Sequence, residues 1–515
     1  MSLLGIDVGG SGCKAIAYSK DGAEIAKASR SYSSIFKSEF ESEFDILDIW
    51  NNVKYVIKEV SQKIKEKGDL IKALCFSVPG EAFVLLDKDL NSLINPFTSF
   101  DPRGFEFLDK VASDIDPTEI YIKTGQPLDF IYPPFRLLWL KKYKKEIYKK
   151  IYKFLGWHEY FLLKLGTDPV TDPSLACRYQ IFDIHKKNWI EKYLKYFDIS
   201  KESLPILGKS GDLVGTVSKK ITDELELPNN VKIAVGGFDQ SMSSLGGGLL
   251  YENIGTITSG TVEAMAFVKK NIILNEDMCQ HAFPFCNHAY SDFMLTFAYT
   301  FSGGSLVKWF LKEIIKSDFS NKNLKEEYSK IYNKMPKRPS NLIALPTFTG
   351  SQTYLRDFKL RGCILGLSLN TNESEILKAL LEGTCFYLKQ SYEYLNNTAG
   401  FKVKEFNALG GGSRSKQWLQ LKADILNAKI NSLSEEDTGC IATAILSGIA
   451  VGVYKNYEDT LENFITVDNE YFPRDNHVQF YLEKYDFYKN LMNILKDFQQ
   501  NFYQLNFKLS GIKSF

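Results

Sequence analysis

A strand that runs into a glycine turn and out into a second strand occurs twice in this chain, about half its length apart. Gly5-Ile6-Asp7-Val8-Gly9-Gly10-Ser11-Gly12-Cys13-Lys14 is the first copy, and Gly255-Thr256-Ile257-Thr258-Ser259-Gly260-Thr261 is the second. Aligned without gaps, Gly10-Ser11 falls on Gly260-Thr261, so each copy sets a hydroxyl residue beside a glycine at a hairpin tip. Glycine lets the backbone turn sharply and leaves no side chain in the way, so consecutive N–H groups can converge on anionic oxygens. A single such hairpin is usually an ordinary turn. The repeat implies a duplicated unit, and two tips facing each other would clamp a polyphosphate.

A duplicated unit suits a chain of 515 residues, which is too long for one ordinary core and long enough for two large domains. The 63 Lys and Arg nearly balance the 62 Asp and Glu, leaving a formal net charge of +1. No chain-wide field therefore points to nucleic acid or to an acidic membrane surface, and a small molecule is the expected partner. Met1-Ser2-Leu3-Leu4 enters a strand directly, and no uninterrupted apolar run reaches the roughly 18 residues of a membrane span, so a soluble cytoplasmic protein is expected. The eight cysteines lie mostly in apolar stretches such as Ala73-Leu74-Cys75-Phe76 and read as small buried hydrophobes in a reducing compartment.

After the first hairpin a third strand is predicted from Ala23 to Ser29. Phe44, Leu47, Trp50, Val53, Ile57, Val60 and Ile64 then recur at spacings of three and four, an amphipathic helix. Strand Ile71 to Phe76 follows, so the opening reads as three antiparallel strands, a helix and another strand in a mixed sheet. Further helices are predicted from Phe135 to about Phe154, Gln240 to Leu249, Gly304 to Ile315, Glu373 to Tyr394, Ser415 to Leu426 and Thr438 to Tyr454, with a closing helix after Tyr471 packed on the second domain. The break between domains is expected near Gly246-Gly247-Gly248, which divides the chain into 1–247 and 248–515.

Two carboxylates stand where a phosphate site would need them. Asp7 ends the first strand beside the glycine tip; near phosphate a carboxylate is repulsive unless a cation intervenes, so Asp7 implies Mg²⁺, held through ordered water. A turn carboxylate satisfying local amides is the plainer alternative. Asp239 follows the buried strand Val231 to Val235 and Gly236-Gly237-Phe238, at a strand-to-helix junction of the kind that carries catalytic groups in α/β proteins. There the plainer alternative is a helix N-cap. Phe406 to Leu409 runs into Gly410-Gly411-Gly412-Ser413-Arg414-Ser415, a strand, glycine turn and helix N-terminus able to admit a flat nucleoside against bare backbone, although glycine runs are more often flexible turns.

In this order the segments resemble the FGGY family of carbohydrate kinases, members of the actin-like, ribonuclease-H-like ATP-binding superfamily, from Gly5 to about Tyr454. Thr124-Gly125-Gln126-Pro127 with Trp139, Ser302-Gly303-Gly304-Ser305 with Trp309, Arg361-Gly362-Cys363-Ile364-Leu365-Gly366-Leu367, and Leu381-Glu382-Gly383 also follow its pattern. The resemblance implies an α/β fold of two actin-like domains about a cleft, with sugar on the N-terminal domain and MgATP held by both. It assigns Asp7, Gly9, Gly10, Ser11 and Lys14 to the first phosphate loop, and Gly260 and Thr261 to the second. Gly303, Gly410 and Gly411, with Ser415 closing that turn, go to the nucleotide, Asp7 and Asp239 to the metal, and Asp239 to the general base.

Substrate positions match the family less cleanly. Gly80-Glu81-Ala82 replaces the Met-His-Gly of xylulokinase-like members, while a Glu here resembles the hydroxyl-binding Glu of glycerol kinases. Asp101 and Arg103 match the second half of the usual Trp-Asn-Asp-x-Arg segment, Ser99 and Phe100 depart from its first half, and Gly10 stands where Thr is usual. Glu81 and Asp101 are expected to accept from two polyol hydroxyls, with Gln240 and Arg103 as donors and Asp239 at the reacting hydroxyl. The role of Glu263 is left open.

The sequence thus implies ATP-dependent phosphorylation of a small sugar or polyol, a ketopentose or related ketose favoured by analogy. The alternatives are a sugar-sensing pseudokinase and an actin-like ATPase without a small substrate. Oligomeric state is open, a homodimer included. Two signals are discounted: Cys279, His281, Cys286 and His288 lack the spacing of common zinc sites, and the basic aromatic run from Lys141 to Lys150 reads as a solvated helix face.

Overall fold

The computed structural model describes residues 1–38, 41–317 and 324–510. Its frame is two mixed sheets. The first is built from β1 (Ser2–Gly9), β2 (Gly12–Ser19), β3 (Glu24–Ser31), β4 (Ile71–Val78), β5 (Leu213–Thr216), β6 (Lys232–Ala234) and β7 (Gly237–Phe238), in the order β5-β6-β4-β1-β2-β3 with β7 paired to β4. The second holds β8 (Ile254–Ser259), β9 (Glu263–Lys269), β10 (Phe285–Asn287), β11 (Met294–Thr300), β12 (Glu405–Leu409), β13 (Lys429–Leu433) and β14 (Val467–Tyr471), in the order β10-β11-β9-β8-β12-β13-β14.

The duplication seen in the sequence is a duplication of topology. β1 pairs antiparallel with β2 and parallel with β4, which runs parallel to β6; β8 pairs antiparallel with β9 and parallel with β12, which runs parallel to β13. The parallel strands β1 and β4 are mostly apolar, and Leu3, Leu4, Ile6, Val8, Leu74 and Phe76 are all fully buried, because helices cover both faces of such sheets.

Helix α1 (Ile46–Glu66) covers one face of the first sheet. Asp45 caps it, accepting from the Leu47 and Asp48 N–H groups, a contact typically worth about 1 kcal/mol. Its buried stripe holds Trp50, Val53, Ile57, Val60 and Ile64 as the spacing predicts, but Leu47 in the first turn faces solvent. The predicted helix from Phe135 to Phe154 is three elements: Pro133–Tyr143, Lys145–Tyr148 and the strand Lys153–Gly156. Its lysines are answered locally, Lys141 by Asp198 at 2.6 Å and Lys142 by Glu106 at 3.1 Å.

Helices α2 (Asp239–Gly246) and α3 (Gly304–Trp309) follow, then α4 (Glu373–Ala399), α5 (Lys416–Leu426), α6 (Thr438–Ala450) and α7 (Asp475–Ser510). Helix α6 lies in the second half of the sequence yet packs on β1 and β4 of the first sheet, and it crosses α2. Two glycines allow this approach. A Cβ on Gly5 would stand 1.9 Å from the Cys440 carbonyl oxygen, and one on Gly246 the same distance from that of Thr438. Leu3, Ile16, Cys75, Met242 and Leu245 thereby share one apolar cluster with Ile441, Ile445 and Leu446. Among the described residues no helix is long and apolar enough to cross a membrane.

Candidate active site

Three parallel strand ends meet at one edge of the first sheet. Asp7 on β1 pairs with Ser77 on β4, and Ser77 pairs with Gly237 on β7. Ser77 Oγ donates to Asp7 Oδ1 at 2.6 Å. Two residues beyond Gly237, Asp239 begins α2, and ligands of α/β sheets bind outside such carboxyl ends. The cap alternative for Asp239 is set aside, since extended Phe238 holds the N-cap position. Asp239 Oδ1 accepts from the Gln240 N–H at 2.6 Å, and the Gln240 side chain is exposed.

Two buried polar groups that sequence reasoning passed over fix this junction. His158 Nε2 accepts from the Gly236 N–H at 2.8 Å, and burial pulls that imidazole down to about 4, keeping it a neutral acceptor. Ser174 Oγ accepts from the Phe238 N–H at 3.1 Å and donates to Asp172 Oδ1 at 2.9 Å. The backbone on each side of Gly237 is therefore pinned. Burial pushes Asp239 well above the usual carboxylate range, and the charges of Glu81 and Asp7 push it further, against the Gln240 N–H and Arg178. Asp7 is also raised by burial, against Ser77 and Lys14.

Glu81 lies beside this pair of aspartates and forms an ion pair with buried Arg178. Arg178 Nη1 donates to Gln126 Oε1 at 2.6 Å, and the Tyr132 hydroxyl donates to the same oxygen at 2.8 Å. Gly80 has no room for a side chain, because a Cβ there would stand 2.5 Å from Arg178 Cγ. Arg178 Nε is buried without a protein partner. Nothing in Ala176-Cys177-Arg178 marked this residue beforehand; its signal was the neighbouring Gly80, which is legible only once the two meet in space.

The expectation for Asp101 is corrected. Its Oδ1 accepts from the Arg103 N–H and Nε–H, both at 2.9 Å, while Oδ2 accepts from the Ser42 N–H at 2.9 Å and Arg103 Nη2 at 2.6 Å. A carboxylate has about four acceptor positions, all filled here, and Asp101 is fully buried. It clamps Arg103, which also reaches Glu43 at 3.0 Å and stacks 3.7 Å from the Phe97 ring centre.

The first hairpin has a two-residue tip, Gly10-Ser11, both exposed, between the paired Gly9 and Gly12. Lys14, opposite Asp7 in the register, forms an ion pair with Asp437, which also holds Lys27. In the second hairpin Ser259 and Glu263 pair across the tip Gly260-Thr261-Val262. The Gly260 carbonyl accepts from the Gly304 N–H at 2.8 Å, and a Cβ on Gly303 would stand 2.5 Å from the Glu263 nitrogen. Gly410 has a positive φ of 75°, while the Cα of Gly411 faces open space, the bare backbone expected at that turn. Ser415 is corrected in part: its oxygen caps α5, accepting from the Trp418 N–H at 3.2 Å.

Cys279, His281, Cys286 and His288 have separate environments. Cys279 points its Sγ at the Pro117 carbonyl, His281 stacks 4.3 Å from the Tyr394 ring, Cys286 lies in β10 and His288 Nδ1 meets Ser291 Oγ at 2.9 Å.

Residues 2–246 match the N-terminal domain of the FGGY family of carbohydrate kinases, and residues 255–451 match its C-terminal domain. The chain belongs to that family. This FGGY kinase is 24% identical to a xylulose kinase of Staphylococcus xylosus over 95% of its own length and 99% of the relative's. It is 22% identical to a gluconokinase of Bacillus subtilis over 96% of each chain. A ligand-bound xylulose kinase from Lactobacillus acidophilus superimposes with a TM-score of 0.87 at 25% identity, covering 97% of this chain and 99% of that one. A gluconate kinase from the same organism gives 0.86 at 25% identity over 96% and 98%.

The fold is thus two actin-like α/β domains, and the activity is transfer of a phosphoryl group from ATP to a hydroxyl of a small sugar or polyol. Nothing in the site favours a pseudokinase or a sugar-independent ATPase.

Proposed function

We propose that Asp239 is the general base of an ATP-dependent kinase acting on an uncharged sugar or polyol, with a ketopentose or related ketose favoured. The carrying observation is the Asp239 carboxyl, set just past a strand end within the fields of Glu81 and Asp7 and raised in proton affinity by burial and by both charges. Such a group accepts the proton of a sugar hydroxyl as that oxygen attacks the γ-phosphorus, help typically worth about 10²–10⁴ in rate. Carboxylates that oppose one another fit Mg²⁺, which takes one or two carboxylates and retains waters; Asp7 and Asp239 would hold it, and bound there it would offset charge on the phosphates. Among the described residues no cluster of three or more His, Cys, Asp or Glu competes as a closed metal cage.

The charge balance supports the substrate class. Arg178 is answered by Glu81, and Arg103 by Asp101 and Glu43, so neither arginine is left to answer the carboxylate of a sugar acid. Gln240 has an exposed side chain to donate from, and Glu81 commits only Oε1 to the arginine. The nucleotide role goes to Gly9, Gly10, Ser11, Lys14, Gly260, Thr261, Gly303, Gly410 and Gly411. We assign sugar binding and the first phosphate loop to 1–247 and nucleotide binding to 248–515, in a protein working in the cytoplasm.

ADP release with MgATP across ketoses, aldoses, polyols and aldonates, run beside Asp239→Asn, tests this. Stimulation by one uncharged sugar in the wild type and not in the variant is expected. Stimulation by an aldonate alone would overturn the substrate class, and an active Asp239→Asn would overturn the base.

A further inference from the structure

Glu263 and Lys422 form an ion pair at 2.6 Å with side chains 0% and 1% exposed. Ser259 Oγ donates to Glu263 Oε1 at 3.0 Å, and Lys422 Nζ donates to Ser259 Oγ, closing a triangle. Ser259 and Glu263 are the paired residues on either side of the tip Gly260-Thr261-Val262. Lys422 comes from α5, the helix that follows the glycine turn Gly410 to Gly412, and its ammonium sits 4.4 Å from the Trp418 ring centre.

The triangle joins the walls around it by close backbone contact. A Cβ on Gly410 would stand 3.0 Å from the Ser259 carbonyl oxygen, one on Gly412 2.4 Å from Ser259 Cβ, and one on Gly303 2.5 Å from the Glu263 nitrogen. The elements of the second half that carry Gly260, Thr261, Gly303, Gly410 and Gly411 therefore abut Ser259 or Glu263. A surface lysine and glutamate would slide on their flexible stems. Buried and hydrogen-bonded to one serine, this pair has one arrangement, and buried polar groups of that kind can specify geometry more than they stabilise.

We propose that the Glu263–Lys422 pair is a positioning device for the nucleotide, fixing the second phosphate hairpin against the glycine turn that opens α5. The inference rests on the kinase reading above. Neither side chain is assigned a contact with substrate. Both act through Ser259 and the backbone of the Gly260-Thr261 tip, and their polar partners are Ser259 and each other, none of them a residue assigned to the sugar.

Binding of MgATP and of the best sugar found in the panel is measured separately by titration calorimetry, with thermal melts, for wild type, Glu263→Gln and Glu263→Leu/Lys422→Met. Replacing both charges with apolar groups is often neutral for stability, so the double variant is expected to melt near the wild type. Misplacing a binding group by about 1 Å can cost two orders of magnitude, so a loss of about tenfold or more in MgATP affinity is expected, with sugar affinity unchanged. If the double variant fails to fold, Glu263→Gln, which keeps the volume, carries the same expectation in direction. Folded variants that bind MgATP as the wild type does, or that lose ATP and sugar affinity together, overturn the positioning role. A wild type that binds no MgATP overturns the kinase reading and this inference with it.

Discussion

The two glycine hairpins are copies of one topology treated in opposite ways. In the second, the charged residues beside the tip are sealed: Glu263, Lys422 and Ser259 are all buried, and the tip carbonyls of Gly260 and Thr261 accept from the start of α3. In the first, the tip residues Gly10 and Ser11 are exposed, and the neighbouring Lys14 is about a third exposed in a pair with Asp437 from the far half of the sequence. A buried pair on one wall is a brace, since separating it leaves two desolvated charges uncompensated. A half-exposed pair between walls is a contact that solvent or a competing anion can replace. One hairpin is therefore built to stay and the other to exchange partners.

The largest expected effect would place the chemistry with the exchanging wall. Asp239→Asn should lower kcat by about 10²–10⁴ while leaving MgATP binding within a few-fold of wild type, because an amide cannot accept the proton. Single-turnover kinetics beside ATP titration checks this, and an equal loss in both would move Asp239 from base to binding. Next in size, Lys14→Met should cost about 10²-fold in kcat/KM for ATP, the usual loss when one donor to developing phosphate charge is removed. If Lys14→Met retained wild-type kinetics, Asp437 would be that lysine's permanent partner and the contrast between hairpins would fail.

A pH profile sharpens the same comparison. Asp239 is pushed above its ordinary value by burial first and by the Glu81 and Asp7 charges next. The base must be deprotonated to act, so kcat/KM should rise with pH through an apparent pKa above the ordinary aspartate value near 3.9. Glu81→Gln removes one of the raising charges, which makes the ionised form of Asp239 easier to reach. The acid limb should move to lower pH. A limb that stayed in place would mean that Glu81 and Asp239 do not feel each other in the working enzyme.

What the sequence made legible follows from how local each signal is. The hairpins, α1 and the Asp239 junction rest on periodicity and turn chemistry within a few residues, and they appear where expected within one or two positions at their ends. The Lys145 to Phe154 region was misread because its lysines and aromatics repeat at helical spacing, while pairing of Phe83 to Leu86 with Lys153 to Gly156 draws the end of that segment into a strand. Asp101 was misread because a carboxylate two residues before an arginine looks alike whether it faces ligand or clamps that arginine. Arg178, His158, Asp437 and the Glu263–Lys422 pair were out of reach for a common reason. Each gains its role from a partner that is distant in sequence, from 52 residues between Gln126 and Arg178 to 423 between Lys14 and Asp437.

The smallest predicted effect bears most directly on the exchanging wall. Burial alone would raise Asp437, yet the ammonium groups of Lys14 and Lys27 hold it below the usual carboxylate range. On the proposed assignment of Lys14 to the phosphates, Asp437 pairs with the lysine that a phosphate would take, and ATP would compete with it. Asp437→Asn removes the competitor but leaves the α6 N-terminus intact, because Asp437 does not cap that helix with its side chain. A partly exposed ion pair is worth about 0.2–1 kcal/mol, so the variant should bind ATP up to about fivefold more tightly. The advantage should shrink as ionic strength rises, since salt already weakens the pair in the wild type. ATP titrations of both proteins at low and high salt decide the matter: an unchanged or weakened affinity in the variant would make Asp437 part of the phosphate site's support, and the first hairpin would then be as fixed as the second.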